Sequence, residues 1–209
     1  MEIQQPLSKV VLSLDDDVEV CALLEHLLWP HRVIGVAHAY VALELLAREA
    51  FDLFILDLKL PDMDGLQLCR QIRLTDPNAP VVFCSGAAEP QDRLVAMRAG
   101  ASGYYAKPLE PEHFQAGIEQ LLYEAEDRNR NAEAVARELL QLAPAALADV
   151  QEGETPAAGA LHDAVYRRFV EAGGTRAHFL RAWPAMLEAC RIAAPAFRPM
   201  SSAVERHGG

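Results

Sequence analysis

The chain has 209 residues, 51% of them hydrophobic and 23% charged, with 30 acidic against 19 basic side chains and a formal net charge of −11. That is enough to fill one core of ordinary size plus a smaller module, and no apolar run approaches the ~20 residues of a membrane helix, which excludes a membrane partner. Cys21, Cys69, Cys84 and Cys190 form no CxxC, and the opening MEIQQPLSKV has no export pattern, so free thiols in the cytoplasm are expected rather than disulfides or a zinc site.

The run VVLSL at 10–14 ends in Asp15, Asp16 and Asp17 and reads as a buried strand entering an acidic loop. Val20, Leu23, Leu24, Leu27 and Leu28 then fall at helical spacing until Pro30 stops the run. A strand is predicted from Arg32 to Val36, a helix from Tyr40 to Arg48, and a strand from Leu53 to Leu56 that runs into Asp57. Further elements are a helix from Gly65 to Leu74, the strand VVFCS after Pro80, a helix over 89–99, a strand from Gly103 to Ala106, and a helix from Pro111. Strands that are continuously apolar, alternating with helices, predict an α/β fold. Its core is a doubly wound, five-stranded parallel sheet covered on both faces. A small all-α region follows it.

In such a sheet, function gathers at the carboxyl ends of the strands. Asp15 and Asp16 end the first strand, Asp57 the third, Ser85 the fourth and Lys107 the fifth, so four strands bring polar groups to one rim. Three crowded carboxylates repel unless a cation lies among them, and a small hard ion such as Mg2+ suits that set. Asp15 and Asp16 then hold the metal, while Asp57 touches it and keeps an oxygen free to attack phosphorus. Lys107 supplies positive charge to a transferring phosphoryl group, Ser85 a hydroxyl, and Gly86 room for close approach of backbone. Asp17, Asp62 and Asp64 read as solvated acids. The segment DMDG at 62–65 lacks the strand directly before it and the Thr after it that a DxDG phosphohydrolase needs, and its acids do not continue as in an EF-hand loop.

The motifs LSLDDD, ILDLKLPDMDG, CSG and GASGYYAKPL resemble, in order, those of the receiver domain of bacterial two-component response regulators, over residues 9 to 123. The resemblance implies a flavodoxin-like fold and a signalling role rather than an enzyme. Asp57 becomes the phosphoacceptor, with Mg2+ held by Asp15, Asp16, Asp57 and the backbone carbonyl of Lys59. Ser85 and Lys107 read the phosphoryl group, Ser85 and Tyr104 form the switch, and Lys107–Pro108 is a cis peptide. Tyr105 is the rival aromatic, but strand alternation sends it to the other face. Lys59 and Ala87 lie where the family tunes phosphoryl lifetime. The implied donor is a sensor histidine kinase or a phosphotransfer protein. A homodimer is expected through the face of helix four, strand five and helix five, or through the helical extension.

Domain boundaries are expected at 1–123 for the receiver, 124–143 for a helical extension, 144–159 for a linker, 160–193 for a small helical output module and 194–209 for a frayed tail. In the extension Ile118, Leu121, Ala125, Arg128, Ala132, Val135, Leu139 and Leu142 recur at steps of three and four. This fits one long helix in a coiled coil, or two shorter helices broken at RNRN. Residues 1–123 carry 18 acids against 9 basic side chains (9 − 18 = −9), and 124–209 carry 12 against 10 (10 − 12 = −2). The front half therefore repels nucleic acid. A helix from Leu161 to Ala172, Gly173–Gly174 and a helix from Arg176 to Ile192 leave two outputs open. One is a protein-interaction or dimerisation module. The other is a divergent DNA-binding helix-turn-helix, against which Pro184 and the small positive excess over residues 158–206 (7 − 4 = +3) weigh. His162 and His178 read as polar helix residues.

Overall fold

Five parallel strands set the frame: β1 (Val10–Leu14), β2 (Arg32–Val36), β3 (Leu53–Leu56), β4 (Val81–Ser85) and β5 (Gly103–Ala106), in the order β2-β1-β3-β4-β5. The computed structural model describes residues 8–86, 89–141 and 156–193. Helices α1 (Val18–Leu27), α2 (Ala39–Arg48), α3 (Gly65–Thr75), α4 (Pro90–Arg98) and α5 (Pro111–Gln141) follow the strands in turn, and α6 (Pro156–Glu171) and α7 (Arg176–Ala193) complete the elements among the described residues.

Strand alternation divides the core into two layers. Leu12, Leu14, Phe54, Leu56, Val81 and Phe83 face α2, α3 and α4. Val11, Leu53, Ile55, Val82 and Cys84 face α1 and α5. Because both faces are covered, these strands read as unbroken apolar runs. Asp17, Asp62 and Asp64 are more than solvated acids, since each caps a helix. Asp17 accepts from Glu19 N at 2.9 Å and Asp64 from Leu66 N at 2.8 Å, while Asp62 reaches Ala39 N and Tyr40 N at the start of α2, at 2.9 and 3.0 Å. Such caps satisfy amides that have no partner within the helix.

Helix α5 runs unbroken for 31 residues through RNRN. Its buried stripe is Phe114, Ile118, Leu122, Ala125, Asn129, Ala132, Ala136 and Leu140, not the expected heptad seam. The second half of that stripe is covered within the chain by α6 and α7, in a cluster with Leu161, Val165, Phe169, Phe179, Met186 and Cys190. Leu142 and most of the expected linker lie outside the described residues, but α6 already begins at Pro156, inside the stretch read as linker. The expected tail at 194–209 also lies outside them. Helix α7 continues through Pro184, which is exposed, as is Leu180, the residue whose carbonyl the proline leaves without a helical donor.

Phe179 is fully buried and meets the rings of Tyr166, Phe169 and Trp183 at centroid distances of 5.0, 5.2 and 5.3 Å. Phe179→Ala is therefore expected to cost the module about 3–5 kcal/mol. Hydrogen exchange should show α6 and α7 losing protection while the sheet keeps its own.

The helical module docks at the edge of the sheet where the strands begin. Asn78 donates from its amide to Val170 O at 2.8 Å and Gly174 O at 3.0 Å, and Arg176 N donates to Asp76 Oδ2 at 3.0 Å. The Arg176 guanidinium reaches Leu46 O and Glu49 O at the end of α2, at 3.2 and 3.1 Å. Arg181 pairs with Asp52, and Lys9 with Glu126. Burial pushes the Asp76 carboxyl up to about 6, outweighing the hydrogen bonds from Arg176, Asn78 and Ala79 and the nearby Arg73 charge. A carboxyl raised on folding contributes stability that is fully present below its unfolded value, near 3.8, and is lost as pH rises through about 6. Relative to Asp76→Asn, the wild type should lose about 2 kcal/mol between pH 4 and 7. Denaturant melts of both proteins across that range check the sign.

Candidate functional site

The strand order reverses between β1 and β3, and the crevice at their carboxyl ends is where a doubly wound sheet can hold a ligand. Asp57 leaves β3 with its amide bonded to Leu14 O at 2.9 Å, which fixes it beside the end of β1. Asp15, Asp16 and Asp57 converge there, with one carboxylate oxygen from each lying within 4.8 Å of the others. Asp15 and Asp57 are buried at 3% and 8% exposure, while Asp16 is open to solvent. The site thus has two anchored acids and one that water can reach.

Lys107, just past β5, extends into this group. Its ammonium lies 3.1 Å from Asp57 Oδ2 and also bonds Asp15. Burial works to lower the Lys107 pKa, but the hydrogen bonds to Asp15 and Asp57 outweigh it and hold the ammonium above its ordinary value. Burial raises the Asp15 carboxyl against the pull of Lys107. Oxygen donors in this number suit a hard divalent cation such as Mg2+. The Lys107–Pro108 peptide is cis, and Lys107 N donates to Ser85 O at 2.9 Å, joining the ends of β4 and β5.

The loop after β3 owes its shape to Gly65. Its amide donates to Leu58 O at 3.0 Å, and a Cβ on it would stand 2.0 Å from the Asp57 carbonyl oxygen. Lys59 N donates to Asp57 Oδ1 at 3.3 Å, and Lys59 bridges to Asp64 across the loop. Ser85 is buried at the end of β4, and Tyr104 lies on the neighbouring β5, its phenol raised chiefly by burial. Tyr104 packs with the α2–α4 layer and Tyr105 with the α1–α5 layer. A Cβ on Gly86 meets nothing within 4 Å, so no described protein atom requires glycine there. Ala87 lies outside the described residues.

His178 pairs with Glu133 at 2.5 Å, and His162 joins the rings of Phe179 and Trp183 at 5.4 and 5.1 Å, so both serve the module's packing. Asp52, Asp76, Asn78, Arg176 and Arg181, which form the docking contacts, carry no local motif in the sequence.

A five-stranded sheet of this order, with acids, a hydroxyl and a lysine gathered at its switch point, defines a receiver-type signalling domain. The chain belongs to the response regulator receiver domain family, which matches residues 11–119. It is similar to the transcriptional regulatory protein ZraR of Escherichia coli (strain K12), with 31% identity over 114 residues covering 54% of this chain and 26% of ZraR. The chain thus spans about a quarter of the length of the curated relatives it matches. Among solved structures, the BeF3-activated DrrB receiver domain aligns with TM-score 0.53 and 28% identity over 56% of this chain and 99% of that one. NtrX from Brucella abortus aligns with TM-score 0.58 and 26% identity over 63% of this chain and 31% of that one. Among the described residues, no helix is long and apolar enough to cross a membrane.

Proposed function

We propose that Asp57 accepts a phosphoryl group from a sensor histidine kinase or a phosphotransfer protein, and that the α6–α7 module carries the response to protein partners. The observation that carries this reading is the convergence of Asp15, Asp16, Asp57 and Lys107 at one rim. Asp15, Asp16, Asp57 and the Lys59 carbonyl would hold Mg2+, which supplies charge neutralisation to the phosphoryl oxygens. Asp57 presents the nucleophilic oxygen. Lys107 balances its charge, and Ser85 offers a hydroxyl to the phosphoryl oxygens. Ser85 and Tyr104, on the adjacent strands β4 and β5, then move together as the switch. The four thiols are free, which supports a cytoplasmic location.

Two surfaces bear on output. Leu94, Val95 and Met97 on α4 are 52%, 41% and 45% exposed, which supports pairing of two copies through the α4–β5–α5 face. The extension is a poorer dimer seam, because α6 and α7 already cover its buried stripe. A DNA-binding reading finds little support in α7, whose Arg176 and Arg181 are engaged by receiver oxygens. Arg168 pairs with Glu171. Incubation with acetyl phosphate and Mg2+ should add one phosphoryl group to the peptide containing Asp57, and EDTA should abolish the addition. Labelling at another residue, or labelling indifferent to EDTA, would refute the assignment. Beryllofluoride with Mg2+ should shift the sizing profile toward a dimer; an unchanged profile removes the dimer from the proposal.

A further inference from the structure

The apolar clusters of the receiver and of the module share no residue. Hydrogen bonds and ion pairs at their junction join Asp52, Asp76, Asn78 and the α2 carbonyls to Arg176, Arg181 and the α6–α7 turn, with Tyr166 Oη donating to Thr75 O at 3.4 Å and Lys9 pairing with Glu126 on α5. Leu74 and Pro77 face Tyr166 and Val170 across an open groove of about 420 Å³, and Leu74 stays 78% exposed. Helix α5 threads both units. Leu122 is its last member in the receiver cluster and Ala132 its first in the module cluster. Between them lies the polar stretch Asp127-Arg128-Asn129-Arg130-Asn131. A polar, incompletely packed contact between units that each keep a core is the kind that opens and closes.

We propose that α6, α7 and α5 from Asn129 onward form a latched arm that swings about residues 123–128. The latch is closed by Asp52, Asp76 and Asn78 of the receiver on Arg181, the first amide of α7 and the α6–α7 turn. The proposal deepens the reading of the module as the responding element and rests on it for its use, but the latch itself is tested without any phosphoryl donor. Two adjacent amides separate the possibilities. Arg176 N donates to Asp76 across the junction, at 3.0 Å, whereas Thr175 N donates to Asn129 Oδ1 inside the arm, at 2.8 Å.

Residue-resolved hydrogen exchange is measured on the full chain, on Arg181→Glu and on Asn78→Ala. The Arg181 side chain is 47% exposed, so its replacement leaves the arm's core intact. Both variants should speed exchange at Arg176 by about tenfold or more and leave Thr175 unchanged. If neither amide responds, or if Thr175 accelerates with or without Arg176, the latch is wrong: the junction is then held otherwise or cannot be separated from the arm's fold. Failure of this experiment leaves the chemistry at Asp57 untouched, and failure of phosphoryl labelling leaves the latch standing.

Discussion

Asp57→Asn should lower the rate of phosphoryl uptake from acetyl phosphate at least about 100-fold while the protein stays folded. The substitution keeps the shape of the side chain and replaces the nucleophilic oxygen with an amide that cannot attack phosphorus usefully. Its neighbours remain in place, because Asp57 is positioned by its backbone bond to Leu14 O at 2.9 Å rather than by its charge alone. It also removes one negative charge from a cluster whose other buried acid, Asp15, is already raised by burial. Thermal stability without Mg2+ should therefore not fall. Uptake at the wild-type rate would move the acceptor to another residue and undo the functional reading.

Gly65→Ala should destabilise the receiver by about 3 kcal/mol and slow phosphoryl uptake as well. The added Cβ would lie 2.0 Å from the Asp57 carbonyl oxygen, 3.0 Å from its carbonyl carbon and 3.1 Å from Leu58 Cα. All three are backbone atoms, so no side chain can rotate aside to relieve the overlap. Either α3 moves off the end of β3, or the Asp57 backbone shifts and carries the nucleophile with it. Denaturant unfolding reads the first effect and the labelling rate the second. Wild-type values in both would show that the loop has room the structure does not contain.

The sheet and its rim were legible in the sequence because each is encoded locally. Two-sided burial leaves strands such as LFIL and VVFCS without polar interruption, and a polar residue closing such a strand is conspicuous. The helix caps at Asp17, Asp62 and Asp64 were partly legible: the first and last directly precede their helices, a standard capping position. Asp62 was hidden, since it caps α2 from 23 residues away. The heptad reading of α5 kept Ile118, Ala125 and Ala132 but took Leu121, Arg128, Val135 and Leu139 where their next neighbours are buried. A seam of period 3.5 belongs to a supercoil, whereas a helix packed on partners within its own fold follows a period nearer 3.6. It can also bury small Ala136, or Asn129 with its amide oxygen satisfied by Thr175 N. The docking of the arm was not legible at all. Asp76 and Arg176 are 100 residues apart, and Asp52 and Arg181 are 129 apart, with only tertiary structure to pair them.

The parallel sheet puts the beginnings of its strands and their ends at opposite poles, and this chain uses both. On the function proposed above, a phosphoryl donor would approach Asp57 at the pole opposite the arm's docking contacts. The site and the docking contacts thus stand apart in space, and the short strands join them: β3 has Asp52 before it and Asp57 after it, and β4 has Asn78 before it and Ser85 at its end.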